Sequence, residues 1–225
     1  MKIVIPIIII TLVLAVVGYF VFQIMQGDPR YVAIEINIPV NQNTNLEIEP
    51  ATAEPIAEND ILVEPIADFK RRITKKPFGI YITPDDSPVQ PEKFSGYHTA
   101  VDVEYSNVLD DVLVMTIADG EVVASKTVSG YGGVVVIKHI INNETVLAIY
   151  GHLDNSRSAE KGTIVKQGET VGYLGQDQTK ETDYERRHLH FGIIKGDKIN
   201  FAGYVSDESE LDGWYDPLIF YPNID

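Results

Sequence analysis

The placement of histidine constrains this chain more than any other feature of its sequence. Four of the five histidines fall into three short clusters, which hold His98 with Asp102, His152 alone, and His188 with His190. An H-x-x-x-D motif, an H-x-H motif and a histidine after glycine supply three metal ligands and two further bases. A catalytic zinc site has this inventory, because it takes three protein ligands and keeps a fourth position open. The clusters are far apart in sequence, so they meet only if the intervening segments fold back on one another.

An uncharged, apolar segment covers residues 3–22, directly after Lys2. Its length matches the roughly 20 residues that cross a bilayer core as a helix, and we predict an N-terminal transmembrane anchor over residues 1–26. The charges of Lys2 and the amino terminus favour a cytoplasmic N-terminus, with the bulk of the chain outside the cytoplasm. The alternative is a cleaved signal peptide and a secreted form, although such peptides usually have a shorter apolar region of about 7–15 residues.

An acidic segment, residues 27–66, follows the anchor. Residues 31–66 contain seven acidic residues, four prolines and no lysine or arginine. This composition predicts an extended, self-repelling linker, with a short strand over residues 31–40 as the one regular element that its pattern allows. The formal net charge of the whole chain is −15, which argues against a nucleic-acid partner because phosphates bind basic surfaces. The chain has no cysteine, so there are no disulfides from which to infer a compartment.

From residue 67 to residue 225 the chain consists of short apolar runs separated by glycine-containing turns. Runs rich in valine, isoleucine and tyrosine predict strands, and they cover residues 112–118, 121–128, 133–141, 145–150 and 188–194. No helical period is sustained in this region. We therefore expect a mostly β domain, an antiparallel sandwich or barrel-sandwich hybrid.

The strand assignment gives the H-x-H motif a geometry. Side chains alternate along a strand, so His188 and His190 point to one face while Leu189 and Phe191 point to the core. Two histidines at this spacing also occur by chance, and the motif alone does not decide between a site and a coincidence.

The other histidines carry alternatives of the same kind. His98 and Asp102 make a mixed nitrogen and oxygen donor pair that suits zinc better than magnesium or calcium, but they also fit a surface histidine beside a solvated carboxylate. His152 after Gly151 is placed to move a proton, or it is a hairpin residue without a task. His139 ends a valine-rich strand without a partner motif, and we interpret it as structural.

The three motifs together, H-x-x-x-D, then Tyr-Gly-His-Leu, then His-Leu-His-Phe, resemble those of the lysostaphin/LytM-type zinc metallopeptidases, which cut peptide bonds in bacterial peptidoglycan. The resemblance covers residues 76–221. Other shared motifs are Phe78-Gly79, Ala118-Asp119-Gly120, Gly130-Tyr131-Gly132, and the segments 165–168 and 214–218. The resemblance implies a duplicated hybrid motif fold for this part of the chain.

The resemblance also implies roles for the five residues. His98, Asp102 and His190 would bind one Zn²⁺ per chain, and His152 and His188 would be catalytic histidines beside a water molecule. One of them would accept a proton from the water and the other would donate a hydrogen bond to the tetrahedral oxyanion, with the assignment left open. The expected partners are peptidoglycan peptides, in cross-links or stems, together with the membrane through the N-terminal helix; cell-wall or division machinery is a further candidate.

Three departures from the family pattern are present. Ala100 stands where members usually have glycine, and it would be strained if the position needs a positive φ angle. Gly192 replaces the usual acidic residue after His-Leu-His-Phe. A charged loop over residues 176–187 replaces a short Gly/Ser/Thr-Gly-Pro turn, and it is either a wall of the substrate groove or a solvated surface loop.

Three functions remain open at this point. The favoured one is a membrane-anchored zinc metalloendopeptidase, because all three ligands and both additional histidines are retained. The second is a catalytically silent scaffold of the same fold that binds cell wall or activates another hydrolase. The third, a lipoyl- or biotinyl-type carrier, is disfavoured because the hairpin at Asp119-Gly120 lacks the lysine that would be modified.

Overall fold

A computed structural model describes residues 62–222 of the chain. Twelve strands are present in these residues: β1 (Tyr81–Ile82), β2 (Gly96–His98), β3 (Val101–Glu104), β4 (Leu113–Met115), β5 (Gly120–Val128), β6 (Gly132–Ile141), β7 (Glu144–Leu153), β8 (Ile164–Val165), β9 (Thr170–Tyr173), β10 (His188–Lys195), β11 (Tyr204–Val205) and β12 (Trp214–Tyr215). The helices in the same range are short 3₁₀ turns, at Lys70–Arg72, Asn155–Arg157, Lys180–Thr182, Glu208–Gly213 and Pro217–Phe220.

The prediction of a mostly β, antiparallel domain is confirmed. A seven-stranded sheet has the order β12-β10-β7-β6-β5-β8, with β3 paired to β10. Two smaller sheets, β1-β2-β11 and β4-β9, accompany it. All of these pairings are antiparallel.

The hairpin β6–β7 shows why these residues form a sheet that is buried on both faces. Asn142 and Asn143 connect the two strands with φ angles of 50° and 62°, the left-handed pair that a two-residue type I′ turn requires. Side chains of β6 alternate between two apolar clusters. Val135 and Ile137 belong to one cluster, and Val134 and Val136 belong to the other. The part of β6 over residues 134–137 is therefore apolar without interruption, as expected where neither face of a strand meets solvent.

Residues just before the predicted domain are part of the folded body. Leu62 and Ile66, which the sequence assigned to the linker, are buried in the first of these clusters. The backbone of this segment is hydrogen-bonded as well, from Val63 N to Ile117 O at 3.1 Å and from Met115 N to Pro65 O at 2.8 Å. The segment packs because its apolar residues are buried in the core, although the residues around them are acidic.

The predicted anchor over residues 1–26, the strand over residues 31–40 and most of the linker lie outside the described residues. Among residues 62–222, no helix combines the length and the hydropathy needed to cross a membrane.

The order of three central strands brings the histidine clusters together. β10 lies between β3 and β7, and its residue His190 is opposite Asp102 on β3 and opposite Gly151 on β7. His152 follows Gly151 directly, and His98 ends β2 in the adjoining small sheet. Segments that are up to about ninety residues apart, as His98 and His190 are, therefore meet at one end of the large sheet.

Candidate metal centre

Three side chains form a compact donor set at this end of the sheet. Asp102 Oδ1 lies 3.3 Å from His98 Nε2 and 3.2 Å from His190 Nδ1, and the two ring nitrogens are 3.3 Å apart. The three residues are buried, with relative exposures of 0%, 1% and 6% for His98, Asp102 and His190. Zinc–ligand bonds of about 2.0–2.1 Å place the vertices of a tetrahedron roughly 3.3–3.4 Å apart. The two imidazoles and the carboxylate thus fit zinc in donor type and in spacing.

Hydrogen bonds set the tautomers of the two histidines in this set. His98 Nδ1 is 3.2 Å from Pro77 O, and because a carbonyl oxygen only accepts, Nδ1 carries the proton and Nε2 keeps its lone pair. His190 Nε2 is 3.4 Å from the Tyr131 hydroxyl oxygen, which can accept its proton when Nδ1 serves as a ligand. Both rings therefore have the outer contact that metal-binding histidines usually make.

His152 and His188 form a second pair beside the donor set, with ring centroids 4.2 Å apart. His152 Nδ1 donates to Thr182 O at 3.1 Å, and His188 Nδ1 donates to Arg186 O at 2.8 Å. Each neutral ring therefore presents Nε2 as an acceptor. The Nε2 atom of His188 lies 3.4 Å from Asp102 Oδ2.

The backbone of His152 adopts a left-handed conformation, with a φ angle of 63°. Such a conformation costs a residue with a side chain about 1–3 kcal/mol. Two hydrogen bonds hold it, from His152 N to Tyr131 O at 3.0 Å and from Gly175 N to His152 O at 2.8 Å. A Cβ atom at the preceding Gly151 would lie 2.6 Å from Cδ1 of Tyr131. Glycine there makes room for the Tyr131 ring, and the strained residue after it carries its imidazole into the site.

Burial sets the protonation states of the site. Burial lowers the pKa of His152 to about 3 and the pKa of His188 well below its ordinary value. Burial alone would raise the pKa of Asp102, but electrostatic attraction and hydrogen bonds from the surrounding imidazoles of His188, His98 and His190 hold it well below its usual range. Neutral imidazoles and an ionised carboxylate are the forms that bind metals.

Four of the five side chains meet at a cleft of about 260 Å³ with aromatic walls. His152, His188, His190 and Asp102 line it. The ring of Tyr204 stacks on His98 at 5.1 Å. Aromatic side chains of Phe94, Tyr131 and Phe201 line the same cleft.

The charged loop over residues 176–187 is a structural part of the site. Its Thr182 carbonyl orients His152, and its Glu185 and Arg186 line the cleft. Arg186 forms ion pairs with Asp102 at 2.8 Å and with Glu104 at 2.6 Å. The interpretation as a solvated loop is therefore wrong for these residues. Glu185 and Arg186 instead form part of the wall of the groove.

Sequence reasoning missed Arg186 and Glu104. Their spacing could have indicated them. Arg186 precedes His188 and His190 at the same two-residue interval, and Glu104 follows Asp102 at that interval, which in a strand places side chains on one face.

The family departures at Ala100 and Gly192 adjoin one another. Ala100 is buried and is not among the residues with positive φ, so alanine causes no backbone strain there. A Cβ atom at Gly192 would lie 3.4 Å from Cβ of Ala100. His139 lies outside the cleft lining and donates from Nδ1 to Asp119 O at 2.9 Å, in keeping with a structural role.

Comparison with known proteins gives a family match over the part of the chain that holds the site. The sequence model of peptidase family M23 matches residues 96–201, which include all five site residues. An uncharacterised protein of Haemophilus influenzae is 34% identical over 93 residues, covering 41% of this chain and 21% of the relative. The murein hydrolase activator NlpD of Escherichia coli is 34% identical over 94 residues, covering 41% of this chain and 22% of the relative. The chain thus spans about a fifth of the length of these curated relatives.

Solved structures are similar over a larger share of the chain. Csd3 of Helicobacter pylori has 27% identity and a TM-score of 0.42, with 66% of this chain and 36% of Csd3 covered. LytU has 26% identity and a TM-score of 0.42, with 64% of this chain and 87% of LytU covered. By the family match and the motifs within it, residues 96–201 form a LytM-type domain of peptidase family M23.

Proposed function

We propose that this chain is a zinc metalloendopeptidase that hydrolyses peptide bonds in the cross-links or stem peptides of bacterial peptidoglycan. The observation that carries the proposal is the arrangement of five buried residues at one cleft: a three-atom donor set with spacings of 3.2–3.3 Å and two neutral imidazoles beside it. A structural metal site would need the donor set but not the imidazole pair.

His98 Nε2, Asp102 Oδ1 and His190 Nδ1 would hold one zinc ion per chain. When bound, zinc polarises the scissile carbonyl and lowers the pKa of a water molecule towards 7. The residues of the chain then have to orient the water, store its proton and return that proton to the leaving amine.

His188 is the better store for the proton. Its Nε2 atom is 3.4 Å from Asp102 Oδ2, so an imidazolium at this position has a carboxylate partner. Among the described residues, His152 has no carboxylate within 4 Å of a ring nitrogen. Its Nδ1–H is committed to Thr182 O, and its Nε2 therefore accepts a hydrogen bond and orients the attacking water or a substrate N–H. This assigns the proton transfer to His188 and the positioning of the reacting groups to His152.

The shape of the surface is compatible with an extended peptide substrate. A second groove, of about 440 Å³, shares Glu185 and Arg186 with the cleft that holds the histidines. A peptide that lies along both would place one of its bonds at the donor set and its flanking residues in the second groove.

A second function has support from the relatives. NlpD carries the name murein hydrolase activator, and a silent scaffold would bind cell wall and activate another enzyme. The retention of both His152 and His188 favours the peptidase, since a scaffold has no use for two neutral bases beside a metal.

Metal content and wall digestion test the proposal. The 225-residue chain is purified, its zinc is quantified, and the release of new amino groups from purified peptidoglycan is measured. One zinc per chain with amino-group release supports the peptidase. Zinc without release, in the presence of stimulated digestion by an added hydrolase, supports the activator. A chain that binds no zinc contradicts both the ligand assignment and the peptidase.

The proposal includes the cellular location. We propose a single-pass protein of the cell membrane, with the N-terminus in the cytoplasm and the catalytic domain outside it, where peptidoglycan is found. The apolar segment over residues 3–22 supports this. External protease added to wall-free cells should remove the folded domain while leaving the segment before it in the membrane, and complete protection would contradict the orientation.

A further inference from the structure

The two carboxylate oxygens of Asp102 have different tasks. Oδ1 faces the donor atoms of His98 at 3.3 Å and His190 at 3.2 Å. Oδ2 faces away from them and receives a hydrogen bond from Arg186 Nη2 at 2.8 Å, with His188 Nε2 at 3.4 Å. One oxygen is therefore directed to the metal position, and the other is already occupied by protein groups.

Arg186 is itself held in place. Its Nε atom donates to both oxygens of Glu104, at 3.1 and 3.0 Å, and its Nη2 atom donates to Glu104 Oε1 at 2.6 Å. The residue is buried, with 8% of its surface exposed. The register of β3 and β10 explains the arrangement, because Asp102 is opposite His190 and Glu104 is opposite His188. Arg186 comes two residues before His188, which brings it to the same face beside Glu104.

The charges of this group do not weaken the donor set. Asp102 and Glu104 carry two negative charges and Arg186 one positive charge, so the three together keep the single negative charge of an isolated aspartate. Because two carboxylates already neutralise the guanidinium, Arg186 is a poor binding group for an anionic substrate. Its effect on the site comes from geometry.

We propose that Arg186 is a positioning residue that fixes Asp102 as a one-oxygen ligand, with Glu104 as the group that anchors it. The proposal rests on the zinc site of the proposed function. A carboxylate without this contact can rotate, turn its oxygens away from His98 and His190, or offer both of them to the metal. Groups that hold a ligand from behind commonly change metal affinity by about 10–100-fold when they are removed.

A charge-matched double variant tests the geometry separately from the charge. Glu104→Gln with Arg186→Met removes one negative and one positive charge, so Asp102 keeps the net charge of the group. The zinc dissociation constant of the full chain is measured by competition with a chelator of known affinity. We expect zinc binding to be weaker by about 10–100-fold. The visible spectrum of the cobalt-substituted protein should also lose intensity, because binding through both oxygens raises the coordination number above four.

A matched control is available on the surface. Arg157 bridges Asp111 and Asp154, each at 2.6 Å, and none of the three lines the cleft. The variant Asp111→Asn with Arg157→Met makes the same chemical change and should leave zinc affinity unaltered. Arg186→Lys retains the charge but cannot bridge two carboxylates with a planar fork, so its zinc affinity should lie between the parent and the double variant.

Zinc affinity equal to that of the parent in the folded double variant would overturn the proposal, and so would tighter binding. If the double variant loses its far-ultraviolet circular dichroism, Arg186→Lys decides the question: parental affinity contradicts the positioning role and reduced affinity supports it. Failure of the parent chain to bind zinc would instead contradict the proposed function, so the two failures are distinguishable.

Discussion

The assignment of ligands and bases predicts that substitutions of His190 and of His152 have different effects on zinc binding. His190 supplies one of the three donor atoms, at 3.2 and 3.3 Å from the other two. The variant His190→Ala leaves two donors, which is one fewer than a catalytic zinc site requires. The variant His152→Ala leaves all three donors in place, because His152 is bonded through Nδ1 to Thr182 and not to the set.

The magnitude follows from the linkage between metal binding and folding. Zinc that binds only the folded state adds about 2.7 kcal/mol of stability when its free concentration is about 100 times the dissociation constant. For a folded body of the size described here, about 1 kcal/mol shifts the unfolding temperature by roughly 2–4 °C. The parent should therefore gain roughly 5–11 °C with zinc. His152→Ala should keep most of this gain and His190→Ala should lose nearly all of it.

Thermal unfolding of the metal-free and zinc-loaded proteins measures these shifts, and amino-group release from peptidoglycan measures activity in the same samples. We expect His152→Ala to bind zinc and to have lost hydrolysis. A parental shift in His190→Ala would refute the ligand assignment. Parental hydrolysis in His152→Ala would refute the role given to the imidazole pair.

Three other predictions concern residues that support the site. Lys76 and Glu92 form a buried ion pair at 2.5 Å, so Lys76→Met should destabilise the fold by about 3–5 kcal/mol in urea unfolding, because the buried carboxylate of Glu92 loses its cationic partner. Burial alone would raise the pKa of Glu92, but hydrogen bonds from Lys76 and from a backbone N–H hold it below 4.5. The stability that the lowered pKa provides is present above pH 4.5 and is lost as the pH falls through the pKa of the folded state. Glu92→Gln should therefore make the free energy of unfolding depend less on pH in the acid range. A Cβ atom at Gly192 would contact Cβ of Ala100, at 3.4 Å, so Gly192→Ala and Ala100→Gly should show an interaction energy of about 0.5–3 kcal/mol in a double-mutant cycle.

The strands of the large sheet could be predicted because their signals are local. The run over residues 133–141 is mostly apolar and is bounded by glycine and by Asn142-Asn143, and the structure forms β6 over Gly132–Ile141. The meeting of the histidine clusters is a different kind of inference. Spacing alone left each cluster with a simpler alternative, and only their joint order, together with the resemblance, favoured one site.

The polar interior could not be predicted from composition. Arg186 and Arg187 belong to a loop with many charges, and such a loop is usually solvated. Both residues are nevertheless buried, and Arg187 donates to Gly175 O at 3.1 Å and to Val108 O. Val108 is far from the loop in sequence, and its position depends on the packing of the whole domain. The burial of Leu62 was missed because the acidic residues before it predicted a solvated linker, although Leu62 itself is apolar and packs in the core.

The departures from the family pattern lie next to the donor set. A Cβ atom at Gly192 would lie 3.4 Å from Cβ of Ala100, which is a contact distance, so the two positions are neighbours in the structure. In this chain a carboxylate still supports the donor set, but it belongs to Glu104 and acts on Asp102 through Arg186. The loop that replaces the short turn before His188 supplies that arginine, so the altered loop brings its own support to the same three ligands.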